Sequence, residues 1–170
     1  ILNKYRTINS NNMDYTKLTH LIIVAGHAIY SHYDYTKCQD ALNWKLLEYQ
    51  RKDNHLSAFL SHISKGIELT YNDNEGLLIF SGGQTRTDIG PVSEGQTYWK
   101  VAENCPYKGF NHFNDIKTRA FTEEYAMDSL QNTLFSICRF KQITGNYPNK
   151  ISFISWSYKE NRFTNLHIKS

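Results

Sequence analysis

Three short runs of consecutive apolar, β-favouring residues constrain the fold of this chain more than anything else in it. They are Leu21-Ile22-Ile23-Val24-Ala25-Gly26, Leu77-Leu78-Ile79-Phe80 and Ile151-Ser152-Phe153-Ile154-Ser155. A strand with one wet face alternates apolar and polar residues. Unbroken apolar runs are the pattern of strands buried on both faces, as in a parallel sheet. The segments between them are long enough for helices. Over 36–69, Leu42, Leu46 and Tyr49 share one helical face and Phe59, Ile63 and Ile67 the next, with a break near Asp53-Asn54. Ser93 and Gln96 have capping-box spacing, which opens a helix at Ser93. Ile116 to Phe121 reads as a short strand. The spacing of Met127, Leu130, Leu134, Ile137 and Ile143 predicts a helix over 122–144. Thr122 is its expected N-cap, Gly145 its stop, and Pro148 prevents continuation. A last helix is expected to include Arg162 and Leu166. Strands alternating with helices imply an α/β fold with a mostly parallel sheet and helices on both faces.

The chain's 170 residues fit a polar arm over 1–19 followed by a single domain over 20–170. Its 19 basic and 16 acidic residues are interspersed and give a net charge of only +3. Without a basic stripe or a recognisable module, nucleic acid is not an expected partner. No apolar run reaches the ~20 residues that a membrane span needs, so no membrane is expected either. Neither is a signal peptide. Cys38, Cys105 and Cys138 lack zinc-ligand spacing, and three scattered thiols fit a reducing, cytoplasmic setting in which they are buried as small hydrophobes. The chain opens on Ile1 rather than Met and stops within an expected helix, which predicts a fold lacking its C-terminal part. Nothing in the sequence names a cofactor.

In open α/β sheets ligands bind beyond the carboxyl ends of the strands. That rule selects Gly26-His27, Ser81-Gly82-Gly83 and Ser155 onward. Ser81-Gly82-Gly83-Gln84-Thr85-Arg86 has the parts of an anion cradle: approachable backbone amides, hydroxyls and a guanidinium fork. The dipole of the helix opening at Ser93 would add to it. Two glycines also make an ordinary tight turn, and the segment is neither a P-loop nor GxGxxG. His27 is either a general base or a rim histidine bonded to nearby backbone. By residue type alone, Ser93 is an N-cap and Glu94 a first-turn acid. Glu123, Asp128, Ser129, Gln131 and Asn132 crowd the first half of one expected helix, and Asp128 and Asn132 share a face of it. Two carboxylates there could do acid/base work or hold a divalent metal; equally they could lie on a solvated face. Lys159 and Arg162 could bind phosphate or lie on the surface. No nucleophile elbow is present.

Taken in order, these segments resemble a known family. The order is strand-Gly26-His27, strand-Ser81-Gly82-Gly83, Ser93-Glu94, Glu123-x-x-Ala126-x-Asp128-Ser129-x-x-Asn132, then strand-Ser155-x-x-Tyr158-Lys159-x-x-Arg162. Over about residues 20–168 the chain is similar to the domain-of-unknown-function-218 family, the SanA/YdcF-like proteins, and more narrowly to their eukaryotic, fungal-type cytosolic branch. The resemblance implies a Rossmann-like three-layer α/β/α fold with a polar pocket at the strand ends. It implies Ser81, Gly82, Gly83, Ser93, Glu94, Glu123, Ser129, Asn132 and Arg162 as pocket residues, which moves Glu94 and Glu123 from structural to functional. Bacterial members are linked to cell-envelope maintenance, mostly as membrane-anchored forms, and that role does not carry over. The chain departs from the family pattern in three ways. Lys159 stands where the family usually has His, loop 84–92 is longer than in typical bacterial members, and family members continue with further sheet structure.

The expected function is binding of a small anionic or nucleotide-like metabolite at the strand ends. Gly26, Ser81, Gly82, Gly83, Thr85 and Arg86 would hold the anion, helped by Ser93, Asp128, Ser129, Asn132, Ser155, Lys159 and Arg162. Glu94, Glu123 and His27 would be the catalytic groups if the domain is an enzyme. The alternatives are a non-enzymatic metabolite sensor meeting a protein partner through a Tyr-rich surface, and a metal-dependent hydrolase using Glu123 and Asp128.

Overall fold

A computed structural model describes residues 13–156 of the chain, except for the side chain of Thr87. The first apolar run becomes strand β1, His20–Ala25, buried at every position. A two-stranded ribbon follows, β2 (Ile29–Tyr30) and β3 (Trp44–Lys45), paired antiparallel. Next come helices α1 (Glu48–Lys52) and α2 (His55–Tyr71), then strand β4 (Gly76–Ser81). Helices α3 (Glu94–Asn104) and α4 (Phe113–Ile116) lead to strand β5 (Ala120–Glu123). Helix α5 (Ser129–Thr144) and strand β6 (Lys150–Ile154) are the last of the described elements. Among the described residues the main sheet has four strands in the order β5-β4-β1-β6, and each of their pairings is parallel.

The pleat sends alternate side chains to opposite faces. Ile22, Val24, Leu78 and Phe80 face α2 and α3, where they meet Phe59, Ile63, Ile67, Tyr98 and Val101. Leu21, Ile23, Leu77 and Ile79 face the other way, onto Phe140 with Ile137 and Ile143 of α5. Each fully buried Leu or Ile contributes about 1.5–3 kcal/mol. The result is the expected three-layer, Rossmann-like α/β/α arrangement. Leu18 is buried in the second cluster, so the segment just before β1 packs on the domain. No helix among the described residues is long and apolar enough to cross a membrane.

Four local expectations are corrected. The span 36–47 is not helical; it holds the 3-10 turns Tyr35–Lys37 and Ala41–Asn43 and leads into β3, and Leu42 is exposed. Asp34 accepts a hydrogen bond from the Thr36 amide, and Asp40 one from the Leu42 amide. Such side-chain bonds compete with a helix. The helix expected from 122 starts at Ser129, because Asp128, not Thr122, is the N-cap whose side chain accepts from the Gln131 amide. Ala120–Glu123 goes to the sheet instead, shifting the short strand expected over 116–121. Finally, Cys38 and Cys105 are not free thiols but a disulfide, and only Cys138 is unbridged.

The amino ends of the strands are tied by polar groups. The Arg119 guanidinium, largely buried, donates to the carbonyls of Thr70, Asp73 and Gly76. His20 Nδ1 lies 2.7 Å from Asp73 Oδ2, and its Nε2 lies 2.8 Å from Ser152 Oγ, which links β1, the turn before β4, and β6. The bond to His20 is the largest of the causes holding the Asp73 carboxyl below its ordinary value. A depressed carboxyl contributes stability that is present above its unfolded pKa and is lost as pH falls through the folded one. Asp73→Asn is therefore expected to lower the melting temperature at pH 7, and the gap to wild type should close as pH drops below 3.8. Melting curves from pH 7 to 2 test this; a gap that stays constant would exclude the clasp.

Candidate functional site

The carboxyl ends of the strands converge where α3 begins. The Glu94 amide donates to the Gly83 carbonyl at 3.0 Å and the Gly95 amide to Gly82 at 2.9 Å. The Ser93 hydroxyl accepts from the Gln96 amide and donates to Glu124. This docking needs glycine. A Cβ on Gly95 would stand 2.6 Å from the Phe80 carbonyl oxygen and 2.7 Å from that of Glu123, both backbone atoms. A Cβ on Gly26 would stand 2.5 Å from the Glu94 Cβ. The Glu94 side chain thus lies directly across Gly26 and Gly82.

The same docking corrects the expected anion cradle. The Gly82 amide donates to the Glu123 carbonyl at 3.0 Å, Gly83 to Ala126 at 2.7 Å, and Gly26 to Ser81 at 2.7 Å. These amides are buried, and buried backbone donors take partners from the chain itself. They are not open to an anion, and the first amides of α3 are committed as well. Gly26, Gly82 and Gly83 act by permitting close approach, not by donating.

Below the cleft, Glu123 is a hub. It is 5 % exposed. Its Oε1 accepts from the Tyr125 and Ala126 amides at 2.7 and 3.1 Å, and its Oε2 from Ser81 Oγ at 2.5 Å. Ser81 Oγ also lies 2.8 Å from the Asn132 carboxamide. Strands β4 and β5 and helix α5 are thereby pinned through one carboxylate. Among the described residues no group of three His, Cys, Asp or Glu side chains could hold a metal ion.

Above this hub lies a cleft of about 310 Å³. Gly26 and His27 enter it from β1, Thr85 and Arg86 from the loop after β4, and Glu94 from α3. The start of α5 adds Asp128, Ser129 and Asn132. Eight sequence-predicted residues therefore line one opening, whereas Ser81, Gly82, Gly83, Ser93 and Glu123 are not among its lining residues. Glu94 is 6 % exposed and accepts from Thr85 Oγ1 at 2.5 Å. Tyr98 lies behind it, its phenol pushed well above the ordinary value by burial first and by the Glu94 charge second. His27 Nε2 lies 3.3 Å from Ser155 Oγ, and its ring packs 5.5 Å from Phe59 and 6.1 Å from Trp156. Lys159 and Arg162 lie outside the described residues.

Sequence reasoning missed Tyr49 and Gln50, which wall the cleft from α1. Gln50 donates to the His27 carbonyl at 3.0 Å and accepts from the Leu47 amide at 2.8 Å. Tyr49 had been grouped with an apolar helix face, and no motif marks Gln50. Ala126 and Met127 also line the cleft, on the connection that had been assigned to a helix. A larger groove, about 700 Å³, runs past Thr122, Phe135 and Arg139, but Glu123 is its only residue from the predicted set.

An uncharacterized protein of Saccharomyces cerevisiae is 27 % identical to this chain over 159 residues, a match covering 75 % of this chain and 52 % of that protein. The chain thus spans about half the length of the curated relative it matches. No protein-family model matches it, and no solved structure matches it.

Proposed function

We propose that the cleft binds a small anionic or nucleotide-like metabolite, in the manner of a domain-of-unknown-function-218 protein, and that Glu94 serves it as acid or base. The observation that carries this reading is the position of Glu94, a nearly buried carboxylate at the cleft wall with Arg86 and His27 on the same opening. Among the described residues Arg86 brings the guanidinium to the cleft, and it takes the anionic group. Glu94 and Asp128 favour a ligand that also carries hydroxyl or amino donors. A carboxylate held near a cleft and away from water is suited to proton transfer. A cytoplasmic setting, suggested by the count of cysteines, is opposed by the Cys38–Cys105 bridge, since such bridges are rare where thiols are kept reduced.

The test is a thermal-shift screen against nucleotides, sugar phosphates and adenosyl compounds. A ligand at 100 times its Kd should stabilise by about 2.7 kcal/mol, raising the midpoint by roughly 5–10 °C at this size. Arg86→Ala should remove the shift. Glu94→Gln should keep the shift and abolish turnover of the hit. Turnover that survives Glu94→Gln would exclude the acid/base role, and a hit indifferent to Arg86→Ala would place the ligand elsewhere.

A further inference from the structure

The connection from β1 to α1 runs over 26–47, whereas α/β units ordinarily close such a turn in about 2–6 residues. Long connections of this kind in compact domains carry function. This one is rigidly held. Its Cys38 is bridged to Cys105 at the end of α3, the buried Trp44 donates from Nε1 to the Cys38 carbonyl at 2.8 Å, and the Ser31 amide donates to the Asn43 carbonyl.

Between this segment and the outer side of α3 lies a second pocket of about 600 Å³. None of the residues lining it lines the cleft. One wall is aromatic: the His32 and Tyr33 rings stack with centroids 4.4 Å apart, and Tyr33 is 87 % exposed. Lys45 and Lys100 bring two ammonium groups to the same pocket. Lys45 is 3.2 Å from Asp88, while Lys100 has no ion pair among the described residues.

We propose that this pocket is a second ligand site, one that takes a small molecule with a planar ring joined to an anionic group. The ring extends the His32–Tyr33 stack, and the anion lies between Lys45 and Lys100. Both a nucleoside monophosphate and an aromatic carboxylate have this chemistry. The pocket's size falls within the range typical of small-molecule sites.

Calorimetric titration of the protein with its disulfide intact tests the assignment. The probes are adenosine 5′-monophosphate, phenyl phosphate and indole-3-acetate, which separate a nucleotide from a simple aryl phosphate and from a carboxylate. At least one should bind saturably. Lys100→Glu, a change at an exposed position, should weaken that binding by about tenfold or more, the loss expected for one charge-assisted contact. Tyr33→Ala should also weaken it, and Arg86→Ala in the cleft should leave it unchanged. No saturable binding of any probe would overturn the proposal. So would binding indifferent to Lys100→Glu or lost with Arg86→Ala.

Discussion

Opening the Cys38–Cys105 bridge should lower the melting temperature by roughly 8–16 °C. The two cysteines are 67 residues apart in sequence. In the chain-entropy description, a cross-link closing a loop of that size destabilises the unfolded ensemble by about 4 kcal/mol. A domain of this length loses roughly 2–4 °C for each kcal/mol. The thiols would remain in place as small buried hydrophobes, since Cys38 and Cys105 are both buried, so the native state itself changes little. Melts with and without a phosphine reductant measure the effect. The double variant Cys38→Ala, Cys105→Ala should melt near the reduced protein and ignore the reductant. Equal midpoints for oxidised and reduced wild type would show that the bridge adds no stability.

Glu123→Ala should be nearly as damaging, although the position touches no ligand in the proposed site. Removing the carboxylate takes the acceptor from the amides of Tyr125 and Ala126 and frees the Ser81 hydroxyl, and Ala126 and Ser81 are buried. Each buried donor left alone costs about 1–3 kcal/mol, and a total of about 3–4 kcal/mol corresponds to roughly 6–16 °C. Glu123→Gln separates a structural hub from a proton-transfer group. The amide oxygen can still accept from both backbone amides, and its NH2 can donate to Ser81, whose proton then turns to the Asn132 carboxamide. Stability should recover to within about 1 kcal/mol of wild type. If Glu123→Gln is as unstable as the alanine variant, charge rather than hydrogen bonding holds the hub together.

The strands and the cleft were legible for a common reason. Leu21–Ala25 and Leu77–Phe80 are apolar without interruption, and only burial on both faces explains that. The end of each run then marks the rim where ligands bind. The same reasoning found Thr85, Arg86 and His27 by position rather than by motif, whereas Glu94 stood out only through the family resemblance. It failed where local hydrogen bonding outweighs periodicity. Asp34 and Asp40 tie down neighbouring amides and break a helix that the spacing of Leu42, Leu46 and Tyr49 suggested. It misread Gly82 and Gly83 because sequence shows that backbone can come close, not what comes close. Here it is the chain's own α3 and the connection after β5, not an anion. Pairing of Cys38 with Cys105 was invisible, since nothing in the spacing of three cysteines says which two meet. Tyr49 and Gln50 reach the cleft only because α1 is set against the end of β1, a tertiary fact with no local signature.

The position of β1 in the sheet has a consequence for how the protein is made. The strand is translated first of the four yet ends up inside the sheet, with His20 beside Gly76 on one edge and beside Lys150 on the other. Ribosomes add about 5–20 residues per second. The second edge of β1 therefore waits on the order of ten seconds for its partner to be synthesised. Throughout that interval an apolar strand offers an open row of amides and carbonyls, the kind of edge that recruits other chains. Such non-local parallel pairing is slow to complete even once the whole chain is available. The yield of the protein in a cell should consequently depend on chaperones more than the stability of the finished fold would suggest.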